Sequence, residues 1–418
     1  MSATALLLVQ LLLVLGAARL CGWLLGRVGQ PPVIGEMAAG LVLGPMVFGA
    51  LAPDLHGVLF APHSLPALSG LASLGLAFFM FVVGAELRSP EGSRGQVRAA
   101  ASISAGGIGL SLLLGLAIAP TLYARFAPPA VGYWPFALFI AAAMSVTAFP
   151  VLARILKDRR LACSTPGRLA LGAAVFDDAC LWILLGLVLA VAGDGSGQGV
   201  LWTLGGGLAL VVLVFVVLRP LYARLLGPAV LQGEPSVQVL AAVLGGLLGC
   251  AALAEWVGLH AILGAFLFGL CMPREERLLQ FLARRLEPLA VVLLMPVVFA
   301  LAGQNTTSEA FGDAGLGALG VILLAAVGGK VIGCAAGARL NGYGWRDSLA
   351  VGALMNTRGL MELVVIKIGF DAGLIGPELF TLLFAMTLVT TLMASPLLSL
   401  FYRRRPAPLP GQGAGEAS

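Results

Sequence analysis

Runs of about 20 apolar residues, separated by short stretches rich in arginine, glycine and proline, follow one another from about residue 4 to about residue 401. A helix rises 1.5 Å per residue, so each run is long enough to cross about 30 Å of hydrocarbon. Continuous runs such as Leu208–Leu218 do not alternate apolar with polar positions, which excludes a membrane β-barrel. The pattern predicts an all-α polytopic membrane protein of about 13 transmembrane helices. The spans fall at about 4–26, 31–50, 65–85, 98–120, 133–153, 169–192, 199–218, 236–254, 258–272, 286–303, 315–338, 347–370 and 376–401. The ninth is short for a full crossing, so it is tilted out, re-entrant or fused with its neighbour.

Composition narrows the class further. Of 418 residues 59% are hydrophobic and 11% charged, whereas soluble domains carry about 25% charged residues. Glycine, at 56 residues, is nearly twice its usual frequency of about 7%; small residues let membrane helices approach closely. The 24 prolines add to a picture of helices that break inside the bilayer. The six cysteines form no C-x-x-C pair and mostly lie in apolar runs, as packing residues rather than a disulfide framework.

The net charge of +5 is explained by where the charges lie. With the N-terminus outside and the connections numbered alternately, about 20 of the 25 basic residues fall inside. Arg125 alone falls outside, and Arg19, Lys330, Arg358 and Lys367 fall within spans. That asymmetry follows the positive-inside rule, so the basic balance reports topology and calls for no nucleic-acid partner. It predicts a C-terminus in the cytoplasm and residence in the plasma (inner) membrane. The first span lacks a basic n-region and is not read as a cleaved signal peptide. Residues 1–402 are expected to form the transmembrane domain, and the Pro/Gly-rich 403–418 a short disordered cytoplasmic tail.

Two spans carry helix-breaking chemistry at mid-depth. The fifth reads AAAMSVTAFPVLARIL, interrupted at Ser145, Thr147 and Pro150; the twelfth reads VGALMNTRGLMELVV, with Asn356, Thr357 and Gly359. They lie seven spans apart, an odd offset that points them in opposite directions. An inverted-topology repeat has this arrangement, with its breaks meeting near the midplane.

Charge at that depth costs about 2.5–3.5 kcal/mol per residue on insertion scales. The sixth span nevertheless carries adjacent acids, Asp177 and Asp178, close to its middle. On a helix they point about 100° apart, so they line one cavity wall without sharing one position. Burial and mutual repulsion make such a pair suited to trading a proton for a metal ion. Lys330, flanked by glycines in the eleventh span, has no acid within one helical turn, so a partner on another helix is expected, Asp178 or Asp177. Arg358 and Glu362 have i,i+4 spacing and suit a self-neutralising structural pair. Lys367 lies near a span end and can snorkel. Glu36 and Glu86 lie towards span ends, while Glu255, His260, His56 and His63 lie at or in outside connections. None of them has metal-ligand spacing, and there is no Walker loop or nucleophile elbow.

PPVIGEMAAGLVLGP, MSVTAFPVLARIL, the FDD of the sixth span, GLHAILGAFLFGL and MNTRGLMELVV together resemble the monovalent cation:proton antiporter-2 family, the Kef-type, sodium/hydrogen exchanger-like membrane domain. The resemblance runs in order from about residue 5 to about residue 400. It implies a homodimer of thirteen-helix protomers with two crossing broken helices. Core helices would lie at about 65–192 and 286–401, and dimerisation helices at about 1–50 and 199–272. Matched position by position, Asp178 corresponds to the ion- and proton-binding aspartate and Asp177 to the variable position before it. Thr147 falls at the first crossing, and Lys330 at the basic position that pairs with the acidic site. Many Kef-type members continue into a nucleotide-binding domain, which this chain does not contain, so that regulation is not expected in cis.

The activity so implied is exchange of a monovalent cation, sodium or potassium, for protons by alternating access, both competing for one intramembrane aspartate. No cofactor and no enzymatic activity are expected. A channel-like potassium-efflux permease would need a selectivity filter, and no carbonyl ring of that kind is evident. An intramembrane aspartyl protease needs acids facing each other from two helices, which neighbours on one helix cannot supply. A sensor or scaffold has no need of a midplane acid pair. Oxygen ligands from Asp178, Asp177, Thr147 and broken-helix carbonyls would suit sodium, potassium or lithium.

Overall fold

The computed structural model describes residues 2–86, 94–162, 164–192, 197–231, 236–273 and 275–401. The expected tail at 403–418, Arg88, Cys163 and Arg274 lie outside the described residues. The first half of the chain forms α1 (Ala3–Arg27), α2 (Pro32–Leu43), a short α3 (Pro53–Leu59), α4 (Leu65–Glu86), α5 (Arg94–Phe126), α6 (Tyr133–Met144), α7 (Phe149–Asp158) and α8 (Thr165–Ala192). The second half forms α9 (Gly197–Val212), α10 (Arg219–Leu231), α11 (Val237–Trp256), α12 (Ala261–Leu270), α13 (Glu276–Pro288), α14 (Met295–Gln304), α15 (Asp313–Leu340), α16 (Trp345–Met355), α17 (Leu360–Asp371) and α18 (Pro377–Phe401). Among the described residues there is no strand.

Ten helices of the described residues are long and apolar enough to cross a membrane. The three remaining spans are the informative ones. The fifth is split into α6 and α7 and the twelfth into α16 and α17, while the ninth is the short α12. Two expected boundaries move. The fourth span, read as about 98–120, is the longer Arg94–Phe126. The tenth is preceded by Glu276–Pro288, whose inward face carries Leu278, Leu282 and Leu286 at helical spacing. Its polar outer face hides this segment from a hydropathy reading.

Three π-helical stretches interrupt the ladder, at Pro45–Gly49, Leu213–Leu218 and Leu289–Leu294. Each contains or lies close to a proline (Pro45, Pro220, Pro288) that withdraws a backbone donor and lets the register slip.

Packing sorts the helices into two sets. One comprises α5, α6, α8, α15, α16 and α18, with α7 and α17 attached to it through α8, α6 and α18. The other joins α1 to α2, α2 to α14, and α4 to α11, α12, α13 and α14. The third and tenth spans, placed by the expected division with the core helices, therefore pack with the second set. Glycine contacts show why. A Cβ on Gly84 of α4 would meet the Phe266 carbonyl of α12 at 2.4 Å, and one on Gly40 of α2 would meet the Phe299 carbonyl of α14 at 2.1 Å. Backbones that close leave no room for side chains between them.

The first set has its own seam. A Cβ on Gly106 of α5 would stand 2.4 Å from the Gly333 carbonyl of α15, and one on Gly333 would stand 2.3 Å from the Gly106 carbonyl. This mutual approach draws Lys330, one turn earlier on α15, against the middle of α8.

Candidate ion-binding site at the helix crossing

Both breaks expose backbone groups that a continuous helix would satisfy internally. At the first, α6 ends at Met144 and α7 starts at Phe149, with Pro150 in its first turn, where a missing N–H costs no intrahelical bond. At the second, α16 ends at Met355 and α17 starts at Leu360 after Gly359, whose φ of 147° is open only to glycine. The two breaks touch. The Ala148 amide donates to the Thr357 carbonyl at 3.0 Å, and the Thr147 hydroxyl lies 3.0 Å from the Met355 carbonyl.

Arg358 closes the ends electrostatically. Its guanidinium donates to the Ala143 carbonyl at 3.1 Å and to the Met144 carbonyl at 2.6 Å, the last acceptors of α6. It also donates to Glu362 at 2.8 Å, both side chains being fully buried. The cation thus covers the negative end of α6, and the carboxylate sits in the first turn of α17, its positive end. Thr357 turns its own hydroxyl onto the Leu354 carbonyl at 2.8 Å.

Asp177 and Asp178 sit midway along α8 with opposite surroundings. Asp177 accepts from Ser104 at 2.6 Å through Oδ1, and from Thr147 at 2.7 Å and Lys330 Nζ at 2.6 Å through Oδ2. All four side chains are buried, so the lysine–aspartate pair is a desolvated one reinforced by two hydroxyls. Asp178 is fully buried as well, and among the described residues neither of its oxygens has a hydrogen-bond partner. Of the two partners open to Lys330 in the sequence, the structure selects Asp177.

The structure brings Asp177, Thr147 and Lys330 together directly, places Asp178 beside them, and holds Arg358 and Glu362 as a separate pair that supports the crossing. Asn356, in the second break, is fully buried with neither amide atom bonded among the described residues. Ser104 was not singled out in the sequence. Its position among small residues of the fourth span, facing a helix with a charge, is the only signal that could have raised it. The Ala143, Met144 and Met355 carbonyls are backbone groups, which no residue identity announces.

A cavity of about 820 Å³ opens next to the crossing. One wall is Phe149, Val151 and Ala153 of α7; the other is α2, α4, α13, α14 and the π-helical turn between the last two, carrying Glu36, Glu86 and Glu287. It therefore lies between the two packing sets, beside the half-helix that follows the first break. Other charged candidates serve local structure: Lys367 pairs with Asp371, Glu255 accepts from the Ala261 amide at 2.9 Å, and the His56 ring lies 2.9 Å from Gln304 Oε1.

Residues 15–403 match the family described as the sodium/hydrogen exchanger transmembrane domain. The chain is 36% identical over 96% of its length to the Na(+)/H(+) antiporter NhaS4 of Synechocystis, covering 98% of that protein. It is also 36% identical to cation/H(+) antiporter 17 of Arabidopsis thaliana and 31% identical to K(+)/H(+) antiporter 1 of Saccharomyces cerevisiae. It spans 96% and 89% of its own length in those two matches, but only 49% and 45% of the relatives, about half of each. In fold it is similar to the sodium proton antiporter MjNhaP1 of Methanocaldococcus jannaschii, with a TM-score of 0.64 at 15% identity, over 95% of this chain and 96% of that one. Motif, fold and match over nearly the whole length agree: this multi-pass integral membrane protein belongs to the sodium/hydrogen exchanger transmembrane family.

Proposed function

We propose that the chain exchanges a monovalent cation for protons across its membrane, with Asp178 as the group that both loads occupy in turn. The observation that carries this is the pairing of a satisfied carboxylate with an unsatisfied one at the crossing. Asp177 is held by Lys330, Ser104 and Thr147, so the site keeps a fixed polar floor. Asp178 has two buried oxygens with no partner among the described residues. A bare carboxylate in hydrocarbon is costly, and either a proton or a cation removes that cost. Since one carboxylate cannot hold both, loading with one expels the other, which makes the coupling an exchange.

Movement follows from the cavity. It runs beside α7, the half-helix that follows the first break, between the set that carries the site and the set formed by α1, α2, α4 and α11–α14. Sliding the first set against the second would close this opening and create another at the opposite face. The relatives named as Na(+)/H(+), K(+)/H(+) and cation/H(+) antiporters support this reading. We further propose a homodimer in the plasma (inner) membrane, with the N-terminus outside and the cavity opening to the cytoplasm, and no enzymatic chemistry.

Reconstitution into liposomes loaded with a pH dye tests the activity. Adding sodium, then potassium, should move protons in the opposite direction; vesicles that show no cation-driven proton flux would overturn antiport. Orientation is checked by an impermeant thiol reagent on intact cells. Gln280→Cys should react only after permeabilisation, and Gln198→Cys before it.

A further inference from the structure

Asp178 is not the only buried polar side chain left without a partner at the crossing. Asn356 is fully buried, and both its amide oxygen and its amide nitrogen lack a hydrogen bond among the described residues. Buried amides are nearly always satisfied, so an unsatisfied one calls for a reason. Its neighbours make the position specific. Asn356 caps α16 directly after Met355, whose carbonyl lies 3.0 Å from the Thr147 hydroxyl. The same hydroxyl lies 2.7 Å from Asp177, directly before Asp178, and α16 packs against α8. Thr147 is thus bracketed by two residues, each followed by an orphaned polar side chain.

We infer that Asn356 is a ligand of the transported cation, its amide oxygen completing with Asp178 the coordination of the dehydrated ion. The inference rests on the antiport reading of Asp178. A neutral oxygen suits this place because a second free carboxylate would hold the ion too firmly and add repulsion when the site is empty of cation. The amide also serves the other half of the cycle. A protonated Asp178 donates O–H to an amide oxygen and accepts from an amide N–H, so one side chain complements both loads. The Thr357 hydroxyl donates its proton to the Leu354 carbonyl and so offers an acceptor oxygen but no donor, whereas the Asn356 amide offers both. Arg358 is a cation, and Glu362 is bound to it through Oε2 as part of the cap on α6, although Glu362 Oε1 and Arg358 Nε have no partner among the described residues.

The test uses the purified full chain, first in detergent. Sodium or potassium chloride, against choline chloride at equal ionic strength, should raise the melting temperature of the wild type, because a ligand of the folded state stabilises it. Asn356→Leu removes the oxygen at similar volume. It should flatten this cation-dependent rise and, in liposomes, raise the apparent KM for the cation by about tenfold. Its melting temperature without cation should not fall, since replacing an unbonded buried amide with an apolar group of similar size is close to neutral. Asn356→Asp carries the test if the leucine variant does not fold. It keeps the oxygen and adds charge, so its cation-dependent rise should exceed that of the wild type. A wild-type rise and KM in Asn356→Leu, a lowered melting temperature of that variant without cation, or an unchanged rise in Asn356→Asp would each overturn the assignment. Asp178→Asn, run alongside, separates the two levels. If it too keeps the wild-type rise, the reading of Asp178 fails; if it loses the rise while Asn356→Leu keeps it, only the assignment of Asn356 fails.

Discussion

Asp177 and Asp178 are neighbours on one helix, equally buried, and chemically identical, yet one has three partners and the other none among the described residues. The difference arises from helix geometry. A step of about 100° turns Asp177 towards α5 and α15, where the glycine seam presents Ser104 and Lys330, and turns Asp178 away from them. What the comparison teaches is that a membrane can hold a reactive carboxylate in place by fully satisfying the one beside it. The paired acid ties α8 to α5, to α15 and to the break between α6 and α7; the unpaired one is left to answer to ions.

The sharpest way to break that comparison is to neutralise each acid in turn. Asp178→Asn should reduce cation-driven proton flux in liposomes to that of protein-free vesicles, because an amide cannot cycle a proton. Asp177→Asn should retain exchange with altered cation affinity. Equal losses from both would show that the two carboxylates act as one group.

A smaller effect is expected from the pair beneath. Lys330→Gln leaves a buried Asp177 without its cation, and breaking such a pair by one partner costs about 3–5 kcal/mol. The double variant Lys330→Gln with Asp177→Asn should recover most of that loss in a melting experiment. The same lysine bears on electrogenicity. If cation entry expels a proton from Lys330, Lys330→Gln transport becomes insensitive to an imposed potential; if its response matches that of the wild type, the ammonium carries no transported proton.

Much of this was legible in the residues, and the rest was hidden for identifiable reasons. Breaks at Thr147–Pro150 and Asn356–Gly359 could be read because hydroxyl, amide, proline and glycine interrupt otherwise apolar runs. The i,i+4 spacing of Arg358 and Glu362 made their meeting a local matter. Which acid takes Lys330 was not readable, since one residue along α8 means a different face, and the choice depends on how closely α5 and α15 approach. Likewise, Arg358 covering the carbonyls of α6 joins groups 214 and 215 residues apart in the chain, and one partner in each bond is backbone. Which helices α4 and α14 pack against was not readable either, because glycine contacts with α12 and α2 specify neighbours only once the backbones are placed.

The smallest expected effect sharpens the comparison from the satisfied side. Ser104→Ala removes one hydrogen bond to the Asp177 carboxylate, worth about 1.5–3 kcal/mol for a charged acceptor. Stability should fall by that order while cation-driven flux persists. A variant that melts as the wild type does but loses exchange would move Ser104 from the supporting cluster to the transport site itself.

The glycines of α15 also draw a map for engineering. Along this single helix, Gly317, Gly320 and Gly328 have open space where a methyl group would go, whereas Gly329, Gly333 and Gly337 have α5 atoms within 3 Å. Alanine at Gly320 would add helix preference of about 0.8–1.0 kcal/mol at no steric expense. Alanine at Gly333 would instead wedge the seam apart and pull the ammonium of Lys330 off its carboxylate. One stripe of the helix is therefore free material for a thermostable variant, and the opposite stripe is a backbone-to-backbone contact with no room for a methyl group, which sets where a charge stands.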